Sequence, residues 1–447
     1  MGGPVSPPLQ MTGVFVSPYS APSGKAEPMS SVAVSPTVRT SPQRAPFLLA
    51  GWGVVPRLVA VCVALSALLL AAMVVAAAVG PTAIPLHDVA DALLQYVGVP
   101  RGVDTSGATY RVVTLVRLPG LMVAALVGAA LASAGAAMQG IFRNPLADPG
   151  VIGVSAGAAL GVVLTITQAW PVADLWLLRN ADDPATALLW RVPLAAFAGA
   201  MLAALGVYLL ALQRGRANPI ALLLAGMAVN AVLGALTSLL LLRTADFGAV
   251  RAVLSWLVGS LEGRGWAYFH VAKWPIVTAS AALLLFSREL NALALGEESA
   301  QSLGVNVGRV RLMVLALASV LTAAAVSVAG AIGFVGLVVP HMLRLVVGPD
   351  HRVLLPASAL GGAAFLVLAD AVARVVIAPQ VLPVEMSPVH RRDIPRLSEA
   401  MLTSSSRGVV PITRIDRQPV GNGRVGAVVR RLQQLYDAWT EAHAEPI

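Results

Sequence analysis

Residues 117–161 read RLPGLMVAALVGAALASAGAAMQGIFRNPLADPGVIGVSAGAALG, two apolar spans on either side of a short polar break. Each flank is long enough to cross a hydrocarbon core of ~30 Å. The break, at Arg143, Asn144, Pro145, Asp148, Pro149 and Gly150, stops one helix and starts another. Proline brings no N–H and fits a first helical turn, and glycine accepts the turn that joins the two. The natural reading of such a pair is the wall of a transport pathway.

The rest of the chain agrees with a membrane setting. Of 447 residues, 57% are hydrophobic and 12% charged, and the mean hydropathy is +0.78. That lies far from soluble globular proteins. The net charge of +9 does not point to nucleic acid, because the arginines are scattered over loops and tails with no basic stripe among aromatics. Contacts with lipid headgroups account for them better. Cys62, the only cysteine, sits in an apolar run, which excludes an intrachain disulfide framework and a thiolate metal site and leaves an inert packing residue.

Residues 1–57 are rich in Pro, Ser and Gly and cannot bury enough surface to offset the entropy of ordering, so they read as a disordered extension. Leu58–Val79 reads as a retained first span, although its small-residue end AAAVG also fits a leader cleavage site. Further spans are expected near 118–142, 150–169, 190–212, 219–242, 267–287, 310–332, 335–347 and 353–378, about nine crossings in all. Gly128, Ala132 and Gly135, and again Gly157 and Gly161, are the small residues that let helices in lipid approach closely. The fold class is all-α, a polytopic transmembrane bundle.

No GxxxxGK[ST] phosphate loop occurs, so this chain does not hydrolyse ATP. The six histidines are isolated and show no paired ligand spacing, so no metal site is expected, including at His341 after Pro340. No nucleophile and base arrangement is visible.

The RLP start, the NPLADPG turn, the following G-V-S-x-G-A and the AVSVAGAIGFVGLVVPHMLRL wording of 325–345 occur in this order in one family. The chain resembles the FecCD/BtuC-type permeases, the membrane subunits of ATP-binding-cassette importers for ferric siderophores, haem and cobalamin. The resemblance implies a multi-pass protein of the bacterial plasma membrane with ten spans, working as a homodimer or with a similar chain. It also implies a cytoplasmic ATPase using ATP and Mg, and a periplasmic or lipoprotein binding protein that delivers the substrate. This chain itself would bind no cofactor.

Residue roles follow by position in that family. The polar stretch Leu290–Arg311 resembles the loop that couples to the ATPase; it has the spacing of a short helix, a glycine turn and a second short segment. Leu295, Ala300 and Leu303 would face a groove on the partner, Glu297 and Glu298 would meet its rim, and Gly296 and Gly304 would set the turns. Arg117 and Arg374 match arginines that dock the binding protein, although Gly120 stands where many relatives carry a second arginine; for Arg374 an ion pair with Asp370 at i,i+4 is the plainer alternative. Asn218, Pro219 and Ile220 would narrow the pathway, and ordinary helix capping accounts for them equally well. The resemblance places the N-terminus and the loops bearing Arg143, Arg214 and Arg216, Arg288–Arg311 and Arg344–Arg352 in the cytoplasm, with Asp174, Asp182 and Asp183 outside.

The resemblance stops near Val384. Beyond residue 385 the chain is polar and Arg-rich, with no stretch near the ~20 apolar residues of a crossing. A frameshift near 385, in the gene or its record, would explain the loss, and a divergent tail is the alternative. Within this tail 424–442 has the periodicity of an amphipathic helix.

Overall fold

A computed structural model describes residues 53–80, 84–105, 107–167, 184–213, 216–376, 398–404, 408–415 and 418–443. The expected extension falls mostly outside these residues, as do the acidic loop with Asp174, Asp182 and Asp183 and the point near 385 where a frameshift was expected.

The membrane part runs α1 (Val54–Ala78), α2 (Leu86–Tyr96), α3 (Ala108–Arg111), α4 (Leu118–Phe142), α5 (Val154–Ile166), α6 (Pro184–Leu210), α7 (Pro219–Arg243), α8 (Phe247–Val258), α9 (Trp266–Leu285), α10 (Ser287–Ala294), α11 (Glu297–Ser302), α12 (Val307–Ala329), α13 (Val335–Val347) and α14 (His351–Val376). A π-helical segment, Val112–Arg117, fuses α3 to α4, and a two-residue pair, β1 (Leu212–Gln213) with β2 (Arg216–Ala217), joins α6 to α7. Seven of these helices are long and apolar enough to cross a membrane. Two of the nine expected spans are shorter: 150–169 becomes a 3-10 turn, Pro149–Ile152, followed by α5 of 13 residues, and α13 also has 13. Neither reaches a full crossing at 1.5 Å per residue. Helix α1 begins at Val54, inside the segment expected to lack structure.

Burial ranks the spans. In the most apolar windows of the α3–α4 stretch and α12, 78% and 72% of residues lie inside the protein, against 11% for α1 and 17% for α7. Helix α4 is the axis of the bundle, and α9, α12, α13 and α14 pack on it. Its glycines make that packing possible. A Cβ on Gly128 would overlap the Gly362 carbonyl of α14, and one on Gly135 the Gly336 carbonyl of α13. Helices in lipid gain by such backbone approach, through van der Waals contact, because apolar burial alone does not favour association there. Helix α1 joins the bundle along α14, where Val61 meets Val353, Leu354 and Ala357.

After residue 398 the chain forms a hairpin of β3 (Ala400–Ser404) and β4 (Gly408–Ile412), a second short pair of β5 (Arg414–Ile415) with β6 (Gln418–Pro419), and α15 (Ala427–His443). The expected amphipathic helix is present, with its ends shifted by a few residues; the hairpins were not expected. Glu399 accepts the N–H groups of Val428 (3.3 Å) and Val429 (2.9 Å) and so caps α15 from the start of β3.

Candidate coupling and pathway site

The polar break is built by local hydrogen bonds. Arg143 closes α4 in the left-handed region (φ 48°), which turns the chain and lets Asn144 N–H reach the Gln139 carbonyl at 3.2 Å. Asn144 Oδ1 then accepts Leu146 N–H at 2.9 Å, and Asp148 Oδ1 accepts Gly150 N–H at 2.7 Å to start the 3-10 turn. Pro149 rests against Gly336, and Gly226 of α7 packs so closely on the Val151 carbonyl that a Cβ would overlap it. The turn is thus clamped between α13 and α7. Asn230 of α7 donates to the Val151 carbonyl at 3.3 Å, covering a backbone acceptor that the short turn leaves without a helical donor. Beside it a cavity of about 100 Å³ is lined by Asp148, Gly150, Ser155, Thr322 and Gly333, among others. Asn144, Pro145 and Leu146 are exposed, whereas Pro149 is buried.

The second break, between α12 and α13, has the same logic. Gly330 lies at φ 73° and Phe334 at φ 66°, so the chain turns between α12 and α13, with Phe334 exposed at the bend. Pro340 inside α13 supplies no N–H, which leaves the Gly336 carbonyl without its helical donor. The Gln139 amide of α4 takes that place, at 3.5 Å from Gly336 O and 3.1 Å from Leu337 O.

The polar stretch 290–311 forms a knob. Helix α10 ends at Leu295, Gly296 turns at φ 114°, α11 follows, Gly304 turns at φ 82°, and Asn306 caps α12 by accepting Arg309 N–H at 3.1 Å. Leu295 is 70% and Leu303 66% exposed. These two apolar tips are available to a partner. Ala300 is not, since it is fully buried beneath the knob, and the expectation that it faces a partner is corrected: on a one-turn helix Ala300 points back to the bundle while Leu303 points out. Glu297 is partly exposed and already engaged. Its carboxylate pairs with Arg311 at 2.5 Å, and the Arg311 side chain is only 6% exposed, so Glu298 alone remains as the exposed acid of the pair. Arg143, from the first break, shares with Leu295–Ser299 a cleft of about 350 Å³. The fold therefore brings the polar break and the knob together at one end of the bundle.

At the opposite end Arg117 is buried, 7% exposed, and its guanidinium donates to the Ala77 carbonyl at the end of α1. Arg117 was expected to dock a binding protein, and its burial leaves little of the side chain at the surface. Arg374 forms the i,i+4 ion pair with Asp370. Asn218 caps α7 through Ile220 N–H at 2.9 Å with Pro219 in the first turn, and Ile220 is 67% exposed. Among the described residues no group of three His, Cys, Asp or Glu side chains could hold a metal ion.

Sequence reasoning missed Gln139, Asn230, Asn291 and Asp350. The Asn291 amide donates to Asp350 at 2.7 Å, and its oxygen accepts His351 N–H at 2.8 Å. Burial pushes the Asp350 carboxyl up, but the Arg352 guanidinium, the Asn291 amide and the Arg352 N–H outweigh it and hold the group at about 2.

Known proteins are similar to this chain. The cobalamin import system permease BtuC of Halobacterium salinarum is 44% identical over 349 residues, spanning 71% of this chain and 90% of that one. The hemin transport system permease HmuU of Yersinia pestis is 42% identical, over 63% of this chain and 80% of its own. The Fe(3+) dicitrate permease FecD of Escherichia coli is also 42% identical, over 62% and 80%. A solved metal-chelate type ABC transporter in an inward-facing conformation superposes with a TM-score of 0.58 at 31% identity, over 72% of this chain and 92% of that structure. With the FecCD profile matching residues 68–387, the chain belongs to the FecCD transport family and is a multi-pass membrane permease.

Proposed function

We propose that this permease admits a ferric siderophore, haem or cobalamin, handed over by an external binding protein, and that a separate ATPase drives the import. The observation that carries this reading is the knob. Leu295 and Leu303 stand exposed on a base made rigid by buried Ala300 and by the Arg311–Glu297 pair. A compact apolar tip on a rigid base is what a partner needs in order to pull on the helices behind it. Two states of the same helices, one favoured by the binding protein and one by nucleotide in the ATPase, then give alternating access. Helix α7, only 17% buried in its apolar window, is suited to line a path shared with a second permease copy. Arg374, half-buried at the Arg117 end, stands where the binding protein would dock. The relatives named for cobalamin, haemin and ferric dicitrate support the substrate class.

A second reading, a degenerate subunit that no longer transports, is favoured by one observation. The family match ends at residue 387, and the described residues from 398 onward form hairpins and an amphipathic helix, whereas the resemblance implies a tenth span after the ninth. Uptake of labelled ferric siderophore, haemin and cobalamin in a strain lacking the gene separates the two. Rescue by this chain supports an importer. Rescue only by a version ending in a relative's tenth helix supports a permease disabled at its tail.

A further inference from the structure

The geometry points to Asn291 as the positioning residue that ties the knob to α14 and α4, so that movement of the knob is delivered to the bundle. This rests on the reading of 290–311 as the ATPase-coupling loop.

Asn291 lies on α10, one turn before Leu295. Both ends of its carboxamide are engaged. Nδ2 donates to Asp350 Oδ1 at 2.7 Å, while Oδ1 accepts His351 N–H at 2.8 Å and meets His351 Nδ1 at 2.9 Å. The amide orientation follows from its partners, since a backbone N–H only donates and so must face the oxygen. With Oδ1 as acceptor on both sides, His351 Nδ1 carries the ring proton.

The junction gathers four helices. His351 begins α14 and is 3% exposed, and its ring lies over Gly140 of α4, where a Cβ would come within 2.8 Å of Nε2. Asp350 is held by Arg352 Nη2 at 2.8 Å and stands 3.8 Å from Arg57 of α1. Apolar surfaces can slide over one another, but three directed hydrogen bonds to one amide fix the register of α10 against α14. From this point α14 continues to Asp370 and Arg374 at the other end of the bundle. A pull on the knob therefore has a rigid route through Asn291, whose nearest partners belong to the helix it would move.

The test uses the whole permease with its cognate ATPase and binding protein in proteoliposomes, with labelled cobalamin, haemin and a ferric siderophore as probes in turn, reading uptake and ATP hydrolysis together. Asn291→Ala leaves Leu295, Leu303 and Glu298 in place, so ATPase association should hold while substrate moved per ATP falls roughly five- to tenfold. A role in folding alone would lower yield and leave that ratio unchanged, and an unchanged ratio overturns the proposal. Asn291→Asp sets two carboxylates against each other. Adding Asp350→Asn restores one donor and one acceptor between the two positions, so the double variant should recover the ratio that N291D loses. If N291A does not fold, this pair of variants decides, and a double variant no better than N291D overturns the proposal. Leu303→Glu separates the two readings. Retained ATPase association in L303E would sink the coupling-loop reading, whatever Asn291 does.

Discussion

The Gln139 amide on α4 stands 3.5 Å from the Gly336 carbonyl, whose helical donor Pro340 removes on α13, and 3.1 Å from the neighbouring Leu337 carbonyl. The broken helix is thus completed by a side chain from its neighbour, which is how interrupted backbone is accommodated at membrane depth. Gln139→Leu keeps the volume and removes the donors, leaving the buried Gly336 carbonyl without one at a cost of about 1–3 kcal/mol. A lower melting temperature in detergent, with the permease still inserted, is the expected result. An unchanged melting curve would remove Gln139 from this role.

Close approach of α4 to its neighbours depends on two glycines. Gly128→Val and Gly135→Val each drive a side chain into a facing backbone carbonyl, which cannot yield as a flexible side chain does. Losses above about 4 kcal/mol fit the overpacking class, and membrane yield should collapse. Gly206→Val is the control, since nothing lies within 4 Å of a Cβ there and yield should stay near that of the parent.

The two acids of the knob should behave differently. Removing Glu297 takes an ion-pair partner from Arg311, whose side chain is 6% exposed, whereas Glu298 is an exposed acid. An exposed pair contributes about 0–1 kcal/mol and a buried one costs about 3–5 to break; with Glu297 36% exposed the expected loss lies between, at about 1–2 kcal/mol. Thermal unfolding of Glu297→Ala and Glu298→Ala compares them directly. Equal effects would contradict the pairing with Arg311.

Asp350 gives a pH signature. Its carboxyl sits in the turn between α13 and α14, held at about 2 against an ordinary value of 3.8. A folded value below the unfolded one means the stabilisation is complete above about pH 4 and is lost as pH falls toward 2. Asp350→Asn should therefore be less stable than the parent at neutral pH, and the two stability profiles should converge in acid. A constant gap across that range would assign the loss to something other than the ionised carboxylate.

Sequence and structure agree where the signal is local. The break at 143–150 was legible because proline and glycine act on their own backbone, and the bounds of α4 and α13 coincide with the apolar runs. Helices α2 and α8 were not anticipated, being only 11 and 12 residues long, too short for a spanning run. Ala300 was placed on the wrong side, and the Glu297 pairing with Arg311 went unseen, because the direction of a six-residue helix depends on how its turns at Gly296 and Gly304 close. The polar partners of the bundle stayed hidden for another reason. Gln139 and Leu337 stand 198 positions apart, and Asn291 and His351 stand 60 apart, so no spacing rule links them.

The most direct test of the central claim is uptake by the purified permease with its ATPase and binding protein in liposomes, with ATP supplied inside or withheld, for cobalamin, haemin and a ferric siderophore in turn. ATP-dependent accumulation of one of these, abolished by Leu303→Glu, is the predicted result. Accumulation that follows an ion gradient without ATP, or an ATPase that never associates with the permease, would contradict it.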